Sequence, residues 1–485
     1  MAATVKQPDV IGDRSPEMEK MAPYWELVDA LNDGIDKMRE GGVVYLPRFP
    51  KETDANYKFR LQQTKMTNVF SDILESLASK PFEKPVTLAD QDNRTYPPFL
   101  LDFIWDVDGA GSSISIFSAD AFEAGIRSAI DWIFVDYPKA DPTIKTLEDK
   151  RRKKIRPFWS RILAVNVREA RTRMVGGDEQ LVYFRFLEPG KPDKVRELEH
   201  DPATNKVKWT LYVKTDKYND KAKTWFVVED AGVMDIDEVP IVPFATGRRI
   251  GRSFVLKPPM KAAADAQLDL YHQESNLKYT KLLGAFPMLS ANGVKPEREA
   301  DGRIKSIDVA PNVVLYAPPN ADGSVGSWSY VEPNANTLDF LAKDINAAIQ
   351  NLRELGRQPL TAQSSNLTTV TTAFAAGKSK SSVAAWAGKL KDALENALRI
   401  TLKWESINFD NIDVFVYTEF DQFVDGKDLS ELNSARANGD ISFETYISEC
   451  KRRGFFADSV DPKVERERLL KESPGPTDDT SVTDG

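Results

Sequence analysis

Two histidines, one cysteine and two glycine-containing runs are the places where this 485-residue sequence offers recognisable chemistry. His200 and His272 stand apart, and neither has a cysteine or second histidine at a metal-ligand spacing, so both are expected to be structural or surface residues. Cys450 has no second cysteine to pair with, which excludes an internal disulfide and fits a reducing compartment. Gly377-Lys378-Ser379 matches the end of a phosphate-binding loop, but that loop needs a glycine where Thr372 stands and a strand just before it. The pattern that follows is helical, so nucleotide binding is not expected. Asp106 and Asp108 before Gly109 suggest a calcium loop, yet Ser115 occupies the position where an EF-hand needs an acidic residue, and a glycine-rich turn is expected instead. Carboxylates are abundant, but their spacing selects no pair. With no catalytic residue, metal or cofactor singled out, no enzymatic activity is expected.

The bulk properties narrow the class. A composition that is 41% hydrophobic and 29% charged suits a globular chain of two to four domains. No run of eighteen apolar residues occurs and the N-terminus lacks a signal-peptide core, so no membrane partner is expected and the chain is expected to stay in the cytoplasm of its host. A net charge of −9 argues against a protein that grips nucleic acid over most of its surface, though not against one that lets it pass.

The elements follow from periodicity. Residues 1 to 20 are polar and carry Pro8 and Pro16, which predicts a flexible arm. Helical spacing begins near Tyr24 with Trp25, Leu27, Val28, Leu31, Ile35 and Met38, and Gly41 and Gly42 end it. Val43 to Pro50 is an extended connector, after which Thr53 caps a helix predicted from Asp54 to about Ser79. A helix from about Ser118 runs into the strand pattern Trp132 to Pro138. The basic run Lys150 to Arg156 is expected to be a solvated linker face. From Ile162 to Phe244 the period changes to that of strands: LVYFRFL, KVKWTLYVK and KTWFVVED, separated by PGKPDK and DPATNK, predict a mixed or antiparallel sheet.

Pro258 to Trp404 organises the rest. Its first helix carries only a thin stripe, Met260, Ala264, Leu268, Tyr271 and Tyr279, and is expected to pack against other subunits or line a solvent space rather than sit in one core. Ala285 to Pro333 is a compact insert of short strands. A heptad follows in Leu338, Leu341, Ile345, Ala348, Leu352 and Leu355, with Gly356 as its expected C-cap and Pro359 preventing continuation. Arg357 to Thr372 is a polar, Ser/Thr-rich loop. A helix from Ala373 to about Trp404 holds Val383, Trp386, Leu390, Leu394 and Leu398. Ile407 to Asp421 contains a strand run expected to return to the β-rich part, and Phe443, Tyr446, Ile447 and Cys450 share a helix face, which makes Cys450 a small core residue.

YLPRFPKETDANYKFRL (Tyr45 to Leu61), DVDGAGSSISIF (Asp106 to Phe117), WIFVDYP (Trp132 to Pro138), IRPFW (Ile155 to Trp159), VPIVPF (Val239 to Phe244) and the order helix, insert, helix, loop, long helix together resemble the bacteriophage portal proteins, or head-to-tail connectors. The resemblance is to a subgroup with an uncharacterised phage portal domain, and it spans roughly residues 25 to 470.

That resemblance implies an α+β portal fold. Residues 1–24 would be a flexible arm, 25–158 a helical wing, 159–256 a β-rich wing, 257–284 the first stem helix, 285–334 an α/β clip and 335–356 the second stem helix. Residues 357–372 would be the tunnel loop, 373–409 the long wing helix, 410–425 a wing strand, 426–472 a helical crown and 473–485 a disordered acidic tail. It implies a dodecameric ring at one capsid vertex of the virion, the channel for packaging and ejecting double-stranded DNA. The implied partners are further copies of the chain, the major capsid protein, any scaffolding protein, the large terminase and the head-completion or tail adaptor proteins. The implied DNA-facing residues are Arg357, Gln358, Thr361, Gln363, Ser364, Ser365, Asn366, Thr368 and Thr369, with Lys278 and Lys281 as basic residues of the channel. Lys295, Arg298, Arg303, Lys305 and Tyr316 would face the terminase or adaptors on the clip. A different connector or adaptor protein is the nearest alternative, and a nucleotide-dependent packaging enzyme the more distant one.

Overall fold

A computed structural model describes residues 9–89, 95–138, 155–285, 288–292, 325–331, 335–357, 369–409, 411–418, 426–452 and 460–472. The chain divides into two compact units, Met1–Thr418 and Glu419–Gly485. Helices and antiparallel strands alternate in the first, which is of the α+β class.

The first helix, α1 (Pro16–Asp33), begins well before the expected Tyr24. Ser15 caps it, Pro16 stands in its first turn where a missing N–H costs nothing, and Met18, Met21, Trp25, Val28 and Leu31 are core residues. The described part of the expected arm is also tied down. Val10 N donates to Lys223 O (2.9 Å), Thr224 Oγ1 donates to Asp9 Oδ1 (2.5 Å) and Ser15 N donates to Arg168 O (2.7 Å). The short helix α2 (Ile35–Gly41) follows.

The single helix expected from Asp54 to Ser79 is two helices, α3 (Asp54–Gln63) and α4 (Val69–Ala78). Thr64 takes an extended backbone and its hydroxyl donates to Arg60 O (2.7 Å), while Asn68 accepts from Ser71 N (3.2 Å) to cap the second. After β1 (Thr87–Leu88) and α5 (Pro98–Phe103) comes α6 (Ile114–Ser128), which Ser113 caps one turn before the expected Ser118. Ser118 lies inside that helix, buried, and donates to Ile114 O (2.5 Å).

A three-stranded antiparallel sheet carries the core. Its centre is β2 (Ile130–Asp136), flanked by β3 (Phe158–Leu163) and, beyond the second sheet in sequence, by the strand Ile241–Ala245. Five long strands form an antiparallel meander in sequence order: β4 (Val167–Val175), β5 (Asp178–Glu188), β6 (Lys191–Asp201), β7 (Lys206–Asn219) and β8 (Thr224–Met234). Gly176 and Gly177 make the first hairpin turn with φ of 62° and 108°, values open to glycine and strained for other residues. Phe184, Phe186, Val195, Leu198 and Val207 are buried, whereas Val228 and Val233 are exposed, as a sheet with one wet face requires.

The strand Ile241–Ala245 is β9, followed by the two-residue pair β10 (Arg248–Arg249) and β11 (Leu256–Lys257). Helix α7 (Lys261–Ala285) leads to β12 (Met288–Asn292), which pairs antiparallel with β13 (Ser327–Val331). Helix α8 (Ala335–Arg357) packs on α7 and α4, and it runs through Gly356, the expected cap, to Arg357. Helix α9 (Thr369–Trp404) is 36 residues long and packs against β2 and β9. The strand expected near residues 407–421 is only β14 (Val414–Phe415), and it pairs with β1 rather than with the five-stranded sheet.

In the second unit lie α10 (Gly426–Ala437), α11 (Phe443–Arg452) and α12 (Pro462–Glu472). Ile447 and Cys450 are buried on α11, as the shared helix face predicts. Among the described residues no helix is long and apolar enough to cross a membrane.

Candidate functional site

The segment from α7 to α9 is rooted in the helical part of its own unit, and the root is polar. Along α7 the buried side chains are Ala263, Ala264, Gln267, Leu270, Tyr271 and Ser275, a helical spacing written largely in small or polar residues. The expectation that this helix packs against other subunits or lines a solvent space, rather than sitting in one core, is therefore corrected for the stretch Ala263–Ser275, whose buried face belongs to a helix in contact with α1, α3 and α4 of the same chain. Its apolar stripe is thin because hydrogen bonds supply what a wider stripe would. Gln267 Oε1 accepts from Phe70 N (3.0 Å) and its Nε2 donates to Thr67 O (2.9 Å), so one amide satisfies the gap between α3 and α4. Glu274 accepts from Thr67 N (2.9 Å) and Thr67 Oγ1 (2.5 Å). His272 Nε2 lies 2.7 Å from Tyr45 O, a structural contact that agrees with the role expected of it.

At the centre of this root is Arg60. Its side chain is 1% exposed, and Nε and Nη2 donate to the two oxygens of Glu52 (2.8 and 2.9 Å), whose side chain is 3% exposed. Nη2 also donates to Pro47 O (2.8 Å) and Nη1 to Ser275 Oγ (3.3 Å), while the guanidinium lies 4.0 Å from the Phe49 ring centre. Ser275 Oγ and Thr64 Oγ1 are 2.9 Å apart. The two hydrogen bonds from Arg60 hold the Glu52 carboxyl below its ordinary value of 4.5. One arginine thus joins the turn Pro47–Glu52, α3 and α7. A buried pair with this geometry is strongly destabilising to break, by about 3–5 kcal/mol when one partner is removed. Tyr271 lies in the same layer, and burial pushes its hydroxyl up to about 12.

Sequence reasoning selected the stretch Tyr45 to Leu61 but missed Arg60, Glu52, Gln267 and Ser275 as its working residues. The available signal was a charged residue on the buried side of α3 and two polar ones, eight apart, on the buried side of α7.

The expected DNA-facing positions fall into two groups. Arg357 ends α8 and Thr369 begins α9, with Thr369–Thr372 helical, so the expected loop is shorter than 357–372 at both ends. Nothing in residues 369–372 is proline or glycine, and the helix extends into them. Gln358, Thr361, Gln363, Ser364, Ser365, Asn366 and Thr368 lie outside the described residues, as do Lys295, Arg298, Arg303, Lys305 and Tyr316. Lys278 and Lys281 sit in the second half of α7, half-buried and exposed respectively, and form no ion pair with a described residue.

The decoys resolve simply. Gly377-Lys378-Ser379 is inside α9, whose backbone N–H groups are used in the helix and cannot cradle a phosphate. Asp108 Oδ1 accepts from Ala110 N (2.8 Å) and Ser112 N (3.1 Å), and Asp106 Oδ1 from Gly111 N (2.9 Å), so those carboxylates hold a turn. A cleft of about 540 Å³ lies between β5, β9 and α9. Its charges are paired across it: Arg399 donates to both oxygens of Glu238 (2.7 and 2.8 Å), and Arg249 to both of Glu179 (2.9 and 2.8 Å). The first pair ties the long helix to the turn before β9, and the second ties β10 to β5.

Residues 259–405 match a family described as a domain of unknown function, DUF4055, which covers α7 through the end of α9. No curated protein matches the chain. Among solved structures the chain is similar to one in the neck of a native gene transfer agent particle computed with C12 symmetry, at 14% identity and a TM-score of 0.34 over 84% of this chain and 90% of that one. It is similar to one in the virion of the native gene transfer agent particle, at 13% identity and 0.39 over 90% and 99%. A third, in the neck of the empty particle computed with C6 symmetry, gives 13% identity and 0.38 over 88% and 96%.

Proposed function

We propose that this chain is a portal-type subunit, of which twelve copies close into a ring at one vertex of a capsid. Double-stranded DNA passes through the centre on packaging and ejection, and the ring presents a docking platform first to a terminase and later to tail adaptors. The observation that carries this reading is the run α7, β12–β13, α8, α9. A packed helix pair is pinned at one end by the Arg60 cluster, bears a two-stranded ribbon at the other, and leads into a helix of 36 residues. That run coincides with the segment whose order carries the portal resemblance.

Two further features support it. Phe340 on α8 is 68% exposed within the single chain, which leaves an aromatic for a neighbouring copy to cover. A net charge of −9 keeps a ring from clamping duplex DNA, since each fixed cation on a phosphate adds a salt-dependent holding contact. In this proposal the subunit performs no chemistry of its own, and a separate ATPase supplies the energy. The residues between α8 and α9 face the DNA, and Lys278 and Lys281, repeated around the ring, form a weak cationic guide.

Images of the purified full-length protein viewed along its axis test the ring. An annulus with a central hole is expected; a monomer that hydrolyses ATP would overturn the proposal. The guide is tested separately by Lys278→Glu with Lys281→Glu, for which shorter packaged DNA is expected, and unchanged packaging and retention would remove any role for these lysines.

A further inference from the structure

The edge of the five-stranded sheet carries a second surface, chemically unlike the rest of this acidic chain. β4 is an edge strand, paired with β5 along one side only. On its other side Arg168 O accepts from Ser15 N (2.7 Å), and beyond that contact residues 170–174 line a cleft of about 390 Å³ whose opposite wall is Glu17 and Arg252–Phe254. Three arginines line it: Arg171, Arg173 and Arg252. Arg171 lies 3.8 Å from the centre of the Tyr183 ring and shares Glu169 with Arg185 (3.2 and 3.1 Å). Arg173 and Arg252 are exposed and form no ion pair with a described residue.

The two carboxylates of the cleft are already engaged. Glu179 accepts from Arg249 and from Thr172 Oγ1 (2.6 Å), and Glu17 accepts from Phe254 N (3.2 Å). The lining thus carries three arginines against two carboxylates, an excess of positive charge in arginine forks shaped for oxyanions, beside an unpaired strand edge. Met174 lines the same cleft and is 43% exposed, with Val175 next to it at 39%.

We propose that this cleft docks an acidic, extended peptide segment of a partner protein. A strand laid along β4 gains main-chain hydrogen bonds from the edge, while its carboxylates meet Arg173 and Arg252 and an apolar side chain packs on Met174. Charge complementarity selects such a peptide, and the apolar rim distinguishes it from a nucleic acid, whose phosphates have no use for Met174 and Val175. Charged residues on an edge strand also discourage sheet-to-sheet association of folded molecules. Either sign of charge performs that role, whereas peptide docking needs the positive sign.

The test uses the full-length chain at low salt and fluorescence anisotropy of a labelled peptide of alternating glutamate and valine. A lysine–valine peptide and a short DNA duplex serve as comparisons. The glutamate–valine peptide is expected to bind. Arg173→Glu with Arg252→Glu should weaken it by about tenfold or more, while Lys217→Glu with Lys221→Glu, an equal charge change on exposed lysines of the β7–β8 turn region, should leave it unaltered. Equal loss in both double variants, binding no tighter than that of the lysine–valine peptide, or a loss confined to the duplex would each overturn the proposal. If charge reversal lowers the melting temperature, Arg173→Gln with Arg252→Gln carries the same test: a loss of about threefold is expected, and unchanged binding overturns it. Binding is read on any oligomer, so failure here leaves the ring untouched, and failure of the ring leaves this result standing.

Discussion

Two arginine–carboxylate pairs in the first unit have opposite electrostatic character. Glu52 receives both a fork from Arg60 and the N–H of Phe49 (3.0 Å), and its carboxyl is held below its ordinary value. Asp131, in the middle of β2 and fully buried, receives one bond from Arg161 Nε (2.8 Å) on one oxygen. Its other oxygen has no hydrogen-bond partner among the described residues, and burial pushes this carboxyl up to about 6. Depth and donor number both separate them: desolvation is the leading influence on Asp131, at the centre of the sheet, and the hydrogen bonds from Arg60 are the leading influence on Glu52. Desolvation raises a carboxyl, and each hydrogen bond to the anion lowers it. The Arg60 pair is organised to hold α7 in place, whereas the Asp131 pair is a charge tolerated in the core.

The largest effect that tests this contrast is Arg60→Ala. It strands Glu52 in the interior and frees the root of α7, and is expected to cost about 3–5 kcal/mol, read as a fall in chemical-denaturation midpoint. A loss below about 1 kcal/mol would mean that the cluster does not anchor the helix.

Next in size is the pH dependence. Glu52 has a lowered folded value, so its contribution is present above 4.5 and is lost as pH falls through the folded value. Asp131 is raised from 3.8 to about 6, so the folded state binds a proton that the unfolded state does not, and stability rises as pH falls through that window. Asp29 is raised from 3.8 to about 6 by burial beside Arg127 and acts in the same direction. The melting temperature is therefore expected to climb from pH 7 toward 5 and to drop in more acidic buffer. Glu52→Gln should blunt the drop and Asp131→Asn the climb; a profile unchanged by both would break the contrast.

Ser275→Ala is expected to cost about 1 kcal/mol through the bond lost from Arg60, again read by denaturant midpoint. Tyr271→Phe should change stability by less than about 0.5 kcal/mol, because the buried hydroxyl has no hydrogen-bond partner among the described residues. A loss above about 1 kcal/mol would reveal a partner, such as an ordered water, for that hydroxyl.

Long periodic features were legible in the sequence and short polar ones were not. The heptad of α8 is there, with Ile345 and Leu352 buried as its spacing predicts, and so are β2 and the strands of the meander. The start of α1 was misplaced because Met18 and Met21 are flanked by charged residues and their burial depends on a core assembled from elsewhere in the chain. The break between α3 and α4 was missed because no proline or glycine marks residues 62–68, while Gln267 and Glu274, some 200 residues later, supply the bonds that stabilise the turn.

By itself the sequence determined the order helix, insert, helix, loop, long helix from α7 to α9, the absence of a complete phosphate-binding loop motif and the net negative charge, since these depend on local spacing and on composition. The tertiary structure alone decided that α7 is anchored by polar contacts, that β14 returns to β1 instead of the five-stranded sheet, and that Arg171, Arg173 and Arg252 line one cleft. The physical reason is common to all three. A hydrogen bond or an ion pair between residues far apart in the chain leaves no periodic trace, whereas burial of an apolar helix face or strand face repeats at a fixed interval and can be read directly.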